Sequence, residues 1–254
     1  MINFLLSLDF LLYSLFGLVF FLVALRVRQN YLKSGKTSTL LKYFMTMFFL
    51  WGIFELLRAV PHIYIILGRE DLFSQAMRWG YIISNFFLIL TSVYASMISA
   101  FLYWPKYQKL GIGLILFLGI ISEIILIMTP FIPRYYIDMG SGFIVTIING
   151  PKAALILLGL VLLMGLGITA VTFLYEAIRG KIKGVLRTRS WLIGIGILLI
   201  ITSGPSHNLF KTARGTFFID MVDLFAKIVT ATGVLMIKPK EEPREFYGKS
   251  ARGA

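Results

Sequence analysis

The chain has 254 residues, 58% hydrophobic and 15% charged, with a mean hydropathy of +0.84, which is more apolar surface than one soluble core can hide. Its 25 lysines and arginines outnumber 12 acids for a net charge of +13, and it has no cysteine. The composition therefore excludes an ordinary soluble domain, a disulfide framework, a thiolate metal site and an iron–sulfur cluster.

A helix needs about 20 apolar residues to cross roughly 30 Å of hydrocarbon. On that measure the sequence predicts seven transmembrane helices, near 3–25, 43–67, 79–103, 110–129, 153–176, 190–210 and 216–237. The expected fold is all-α: a polytopic integral membrane protein built as a seven-helix bundle over residues 1–237. Residues 238–254, KPKEEPREFYGKSARGA, are charged and proline-containing and read as a flexible cytoplasmic tail. The first span has no basic leader and no small-residue cleavage site, so it reads as a retained helix. The stretch 131–150, with its FIP and GSG pieces, has room for a short interfacial element.

Orientation follows from the basic residues, because positively charged loops stay in the cytoplasm. The first, third and fifth loops and the tail hold 17 lysines and arginines, and the second, fourth and sixth loops hold 6. The N-terminus is predicted outside and the C-terminus inside, in a multi-pass protein of the cell membrane. Confined to one side of a bilayer, the positive charge is a topology signal and a contact for anionic lipid headgroups, not a nucleic-acid surface.

The sequence has no phosphate-binding glycine loop, HExxH or GxSxG, and no classical enzyme is indicated. Its two histidines cannot supply the four axial ligands of a two-haem cytochrome. Gly159, Gly165 and Gly167 are expected to permit close helix contact.

Charges inside spans narrow the reading, since each costs a few kcal/mol or more at the bilayer centre unless it faces the bundle interior with a partner. The second span carries Glu55, Arg58 and His62, and the seventh carries Asp220, Asp223 and Lys227, each set at spacings of three and four. Each trio is expected on one helix face. Because the two spans run in opposite directions, Glu55 falls level with Lys227, Arg58 with Asp223, and His62 with Asp220. Packed side by side, the two spans would neutralise each other rung by rung. The ladder serves either as a structural lock or as a proton or ligand site.

A second polar level lies roughly five to eight residues below the outer ends of the spans, about 8 to 12 Å at helical rise. It comprises Asp9, His62, Glu123, His207 and Asp220. In the sixth span, SGPSHN at 203–208 is expected to kink or break the helix at Gly204 and Pro205. These features predict an outward-facing polar pocket. His62 and His207, with carboxylates nearby, offer ligands for a metal or a single haem. The plainer reading puts both near the headgroups, with Glu123 a lone exposed acid.

Seven spans, an outside N-terminus, DLFAK at 223–227 and VLR at 185–187 together resemble the microbial rhodopsins, with the specific likeness confined to the sixth and seventh spans. The resemblance implies retinal carried on Lys227 as a Schiff base, with Asp223 in the counterion complex. The sequence departs from the family in two places. The sixth span reads WLIGIGILLIITSG, so its only tryptophan lies at the cytoplasmic end instead of mid-helix, and the third span has no acid after Arg78. The carboxylate partner of Lys227 is then Asp223 or Glu55.

The functional expectation is a rhodopsin-like receptor or proton-handling protein centred on Lys227, Asp223, Glu55 and Arg58. The alternative is a non-catalytic membrane subunit, in a homo-oligomer or larger complex, that binds a metal or haem through His62 and His207.

Overall fold

In lipid every backbone N–H and C=O must be satisfied within its own segment, so apolar runs of this length fold as helices. The computed structural model describes residues 8–137, 144–147, 150–179, 182–206 and 212–236. Its elements are α1 (Leu8–Lys33), α2 (Thr39–Ala59), α3 (His62–Ile66), α4 (Glu70–Tyr103), α5 (Gln108–Met128), β1 (Arg134–Ile137), β2 (Ile144–Ile147), α6 (Lys152–Leu162), α7 (Ile168–Ile178), α8 (Val185–Ser206) and α9 (Ala213–Leu235). A 3₁₀ turn, Pro105–Tyr107, opens α5, and a π-helical turn, Leu163–Gly167, joins α6 to α7. Six stretches are long and apolar enough to cross a membrane: Phe10–Lys33, Thr39–Ile66, Asp71–Tyr103, Pro105–Met128, Lys152–Ile178 and Val185–Gly204.

Local chemistry sets the ends. At the end of α1, Gly35 takes φ +66°, and the N–H groups of Gly35 and Lys36 donate to Leu32 O and Tyr31 O at 3.0 and 3.1 Å. This is a Schellman closure, which satisfies carbonyls that a helix end otherwise leaves open. Ser38 Oγ then caps α2 by accepting from Leu41 N. The second span is not one helix. It breaks between Ala59 and His62, because Pro61 has no N–H to continue the ladder and its ring opposes the preceding turn. His62 therefore belongs to α3, and the expected trio of Glu55, Arg58 and His62 does not share one continuous helix. The sixth span departs in the other direction: α8 continues through Gly204 and Pro205 to Ser206, so the expected break there is absent. Residues 207–211 lie outside the described set. The stretch that had room for an interfacial element holds an antiparallel hairpin pairing Arg134 with Ile147 and Ile137 with Ile144.

The helices pack as a ring in which α1 lies on α2, α2 on α4, α4 on α5, α5 on α6, α7 on α8 and α8 on α9, and α9 closes onto α1. Exposure is arranged for lipid. Leu11, Leu15, Leu18, Leu22 and Leu25 form an outward stripe on α1, while Phe16, Phe20, Val23 and Val27 are buried on its other side. Inside, the Phe20 ring stacks on Trp51 with centroids 4.9 Å apart and tilts against Phe48 at 5.5 Å. Of the three glycines expected to allow close contact, only Gly165 does so: a Cβ there would lie 2.5 Å from Ser92 Cβ and O. Gly159 faces open space, and Gly167 meets only its own turn. One unanticipated close crossing is α1 on α2, where a Cβ on Gly17 would lie 2.7 Å from Leu56 and 3.2 Å from Gly52 O, and another is α8 on α9, where a Cβ on Gly196 would collide with Thr230 Oγ1.

Candidate functional site

The charged groups of α9 follow from helical spacing. Asp223 and Lys227 are one turn apart, and the Lys227 ammonium lies 2.5 Å from Asp223 Oδ2. The same ammonium donates to Glu55 Oε1 at 2.6 Å. Lys227 and Glu55 are 2% and 1% exposed, so this ion pair is closed to water. The α1 face completes the enclosure, with Lys227 Nζ 3.8 Å from the Phe16 ring centroid and 5.8 Å from that of Phe20. Asp223 is satisfied at both oxygens, since Oδ1 accepts from Ser203 Oγ at 2.9 Å. Glu55 is not: its Oε2 is buried with no hydrogen-bond partner among the described residues.

Side-by-side packing of the second and seventh spans is not what joins these groups. Helix α1 packs against both α2 and α9, and Lys227 reaches Glu55 past Phe16. The second expected rung is replaced. Arg58 donates from Nη2 to Tyr13 Oη at 2.9 Å, and its guanidinium lies 4.4 Å from the Tyr13 ring and 5.5 Å from the Phe54 ring. Asp223 is instead taken up by Lys227 and Ser203. Arg58 remains within electrostatic reach of Glu55, Asp223 and Asp220.

The outer polar level comes together only in part. His62 is buried between the rings of Tyr13 and Phe73, at centroid distances of 6.0 and 5.6 Å. Asp220 is buried one turn before Asp223 on α9. Glu123, on α5, lies apart from the core. It is half-buried, with Oε1 unpartnered among the described residues, and Tyr81 of α4 is in electrostatic reach of both Glu123 and Arg58. His207 lies outside the described residues, as does the side chain of Asp9. The expected His62–His207 pair is therefore not placed, and no group of three or more potential metal ligands occurs among the described residues.

Sequence reasoning missed Tyr13 and Ser203, the hydroxyl partners of the charged core. It also counted Arg189 among the solvent-facing loop charges, whereas Arg189 and Glu176 are 1% and 8% exposed. Nearby, Arg187 Nε donates to Ala177 O at 3.0 Å and ties α8 to the end of α7. The only sequence signal for these burials was the nearness of both residues to the ends of apolar runs.

For retinal, the residues present an amine held on two sides by carboxylates and pressed on a phenyl ring. Condensation with an aldehyde needs that amine free and unprotonated. At the centre of α8, the buried side chains are Ile193, Ile197 and Ile200, with no aromatic grip for a polyene.

Six helices of membrane-crossing length, with apolar side chains turned outward and charges turned inward, are compatible with a multi-pass membrane protein. No known protein family matches the sequence, and no curated protein shows significant similarity to it.

Proposed function

We propose that this chain is a rhodopsin-like, seven-span membrane protein, with its N-terminus outside and C-terminus in the cytoplasm, that handles protons through a buried charged core. Under this reading α9 is the seventh crossing, its charges balanced inside the bundle. The observation that carries the reading is the Lys227 ammonium held at 2.6 and 2.5 Å between Glu55 and Asp223 out of contact with water. Such a group is expensive to maintain and is retained in membranes for ion or proton pathways or for sensing. The excess of basic residues in alternate loops supports the orientation and a contact with anionic headgroups.

The test is proton movement in liposomes that enclose a pH-sensitive dye. After an imposed pH step, liposomes carrying the protein are expected to equilibrate faster than empty ones, and Lys227→Met to abolish the difference. Equal rates for protein-bearing and empty liposomes would defeat the reading.

A second reading is a non-catalytic membrane subunit in which the charges only lock the helices. It is favoured by the complete satisfaction of Asp223, which accepts from Ser203 and pairs with Lys227. Equal rates in protein-bearing and empty liposomes, together with a double variant Glu55→Gln with Lys227→Met that folds as well as the parent, would favour this reading over the first.

A further inference from the structure

Two carboxylates share one ammonium in this core, and their surroundings differ. Asp223 has a donor on each oxygen, Ser203 Oγ at 2.9 Å and Lys227 Nζ at 2.5 Å. Glu55 has a donor on Oε1 only, and its Oε2 is buried without a hydrogen-bond partner among the described residues. An ionised carboxylate out of water is stabilised by donors to both oxygens, and an oxygen left without one bears the full loss of its hydration. A protonated carboxyl relieves that loss, because the bare oxygen then carries the hydrogen.

We infer that Glu55 Oε2 is the proton-loading atom of the core, while Asp223 stays ionised as the fixed partner of Lys227. The inference rests on the proton-handling reading and names the residue that performs it. The step is a simple protonation: one proton enters from the aqueous phase and bonds to Oε2, and Lys227 keeps its hydrogen bond to Oε1 and its pairing with Asp223. Glu55 then goes from charged to neutral, and Asp223 balances Lys227.

The groups around Glu55 are consistent with such a site. Helix α9 faces it with Lys227 and Asp223, and its own helix faces it with Arg58, one turn away. Behind Arg58 stand Tyr13 of α1, Tyr81 of α4 and Asp220 of α9. Helix α3 contributes His62, which is in electrostatic reach of Arg58. Arg58 donates to Tyr13, and among the described residues the hydrogen bond to Glu55 comes from Lys227.

Infrared difference spectra between pH steps, recorded on the full chain in liposomes, test the assignment through the carboxylic C=O stretch. A single-step band is expected that shifts on glutamate ¹³C-labelling, disappears in Glu55→Gln and survives in Glu123→Gln. A band that shifts only on aspartate labelling, that survives Glu55→Gln, or that never appears overturns the assignment. The labelling arm uses the wild-type protein, so it decides between the two carboxylates even where a core variant does not fold. Dye-reported proton movement with the band on Asp223 leaves the proton-handling reading standing and removes this inference. The band on Glu55 without proton movement removes transport and keeps the site.

Discussion

Lys227 meets Glu55 across 172 positions of sequence while meeting Asp223 within its own helical turn, so one ammonium joins a local carboxylate to a distant one. Removing one member of a buried pair strands the other, typically at a cost of about 3–5 kcal/mol, whereas replacing both by apolar or neutral groups is often tolerated. Glu55→Gln and Lys227→Met are each expected to lower the unfolding temperature in detergent sharply, and the double variant to recover part of the loss. Strictly additive losses would show that the two residues are not coupled.

Tyr13 is expected to hold Arg58 through its hydroxyl as well as its ring. Tyr13→Phe keeps the ring and removes a hydrogen bond to a charged donor, a loss of about 1.5–3 kcal/mol in stability. Chemical denaturation should register that loss, with little further effect of Tyr13→Phe in an Arg58→Gln background.

Gly165→Ala is expected to destabilise by about 1–3 kcal/mol through overpacking against Ser92. Gly159→Ala, placed where a Cβ meets nothing within 4 Å, is expected to be neutral or slightly stabilising. Thermal unfolding of the pair checks both.

The absence of cysteine makes orientation directly measurable. Thr37→Cys, in the exposed turn before α2, is expected to react with an impermeant maleimide only when the cytoplasmic side is open. Arg69→Cys, in the exposed turn before α4, should react from outside, and it sacrifices only a surface ion pair with Asp71. The reverse pattern would invert the topology.

All-trans retinal added to the purified protein is expected to give no visible band, because the Lys227 amine is doubly engaged. A band lost in Lys227→Ala would show that the aldehyde displaces both carboxylates and would restore the chromophore version of the proposal.

The apolar runs made the crossings legible, because the hydrocarbon thickness imposes a length that a sequence must satisfy. Their ends were less so. The third span begins at Glu70, well before the predicted 79, since Asp71, Gln75 and Arg78 lower its hydropathy without ending a helix. Pro61 carried the signal for the break, but it sits inside an otherwise apolar run long enough to read as one span. Within the site, Asp223 and Lys227 were legible from their spacing, and Glu55 from the need of a buried lysine for an acid. Tyr13 and Ser203 were not, because a hydroxyl carries no charge imbalance to reveal its partner. The placement of α1 between α2 and α9 depends on the closing of the whole ring, which no local pattern encodes.

The π turn at Leu163–Gly167 makes the chain's spacing matter beyond its own five residues. It accommodates one residue more than a regular helix would. Directly after it, Thr169 donates to Ala95 O at 2.7 Å and lies 2.8 Å from Ser99 Oγ, joining α7 to α4. Were the turn to tighten into regular α-helix with every residue kept, everything beyond it would swing by about 100° about its axis, whereas deleting one residue would make the helix regular and leave that phase unchanged. In the first case Thr169 would turn off the α4 seam and Glu176, farther along α7, would face a new neighbour, and in the second both would keep their places. The extra residue absorbed at this point acts as an angular setting for α7.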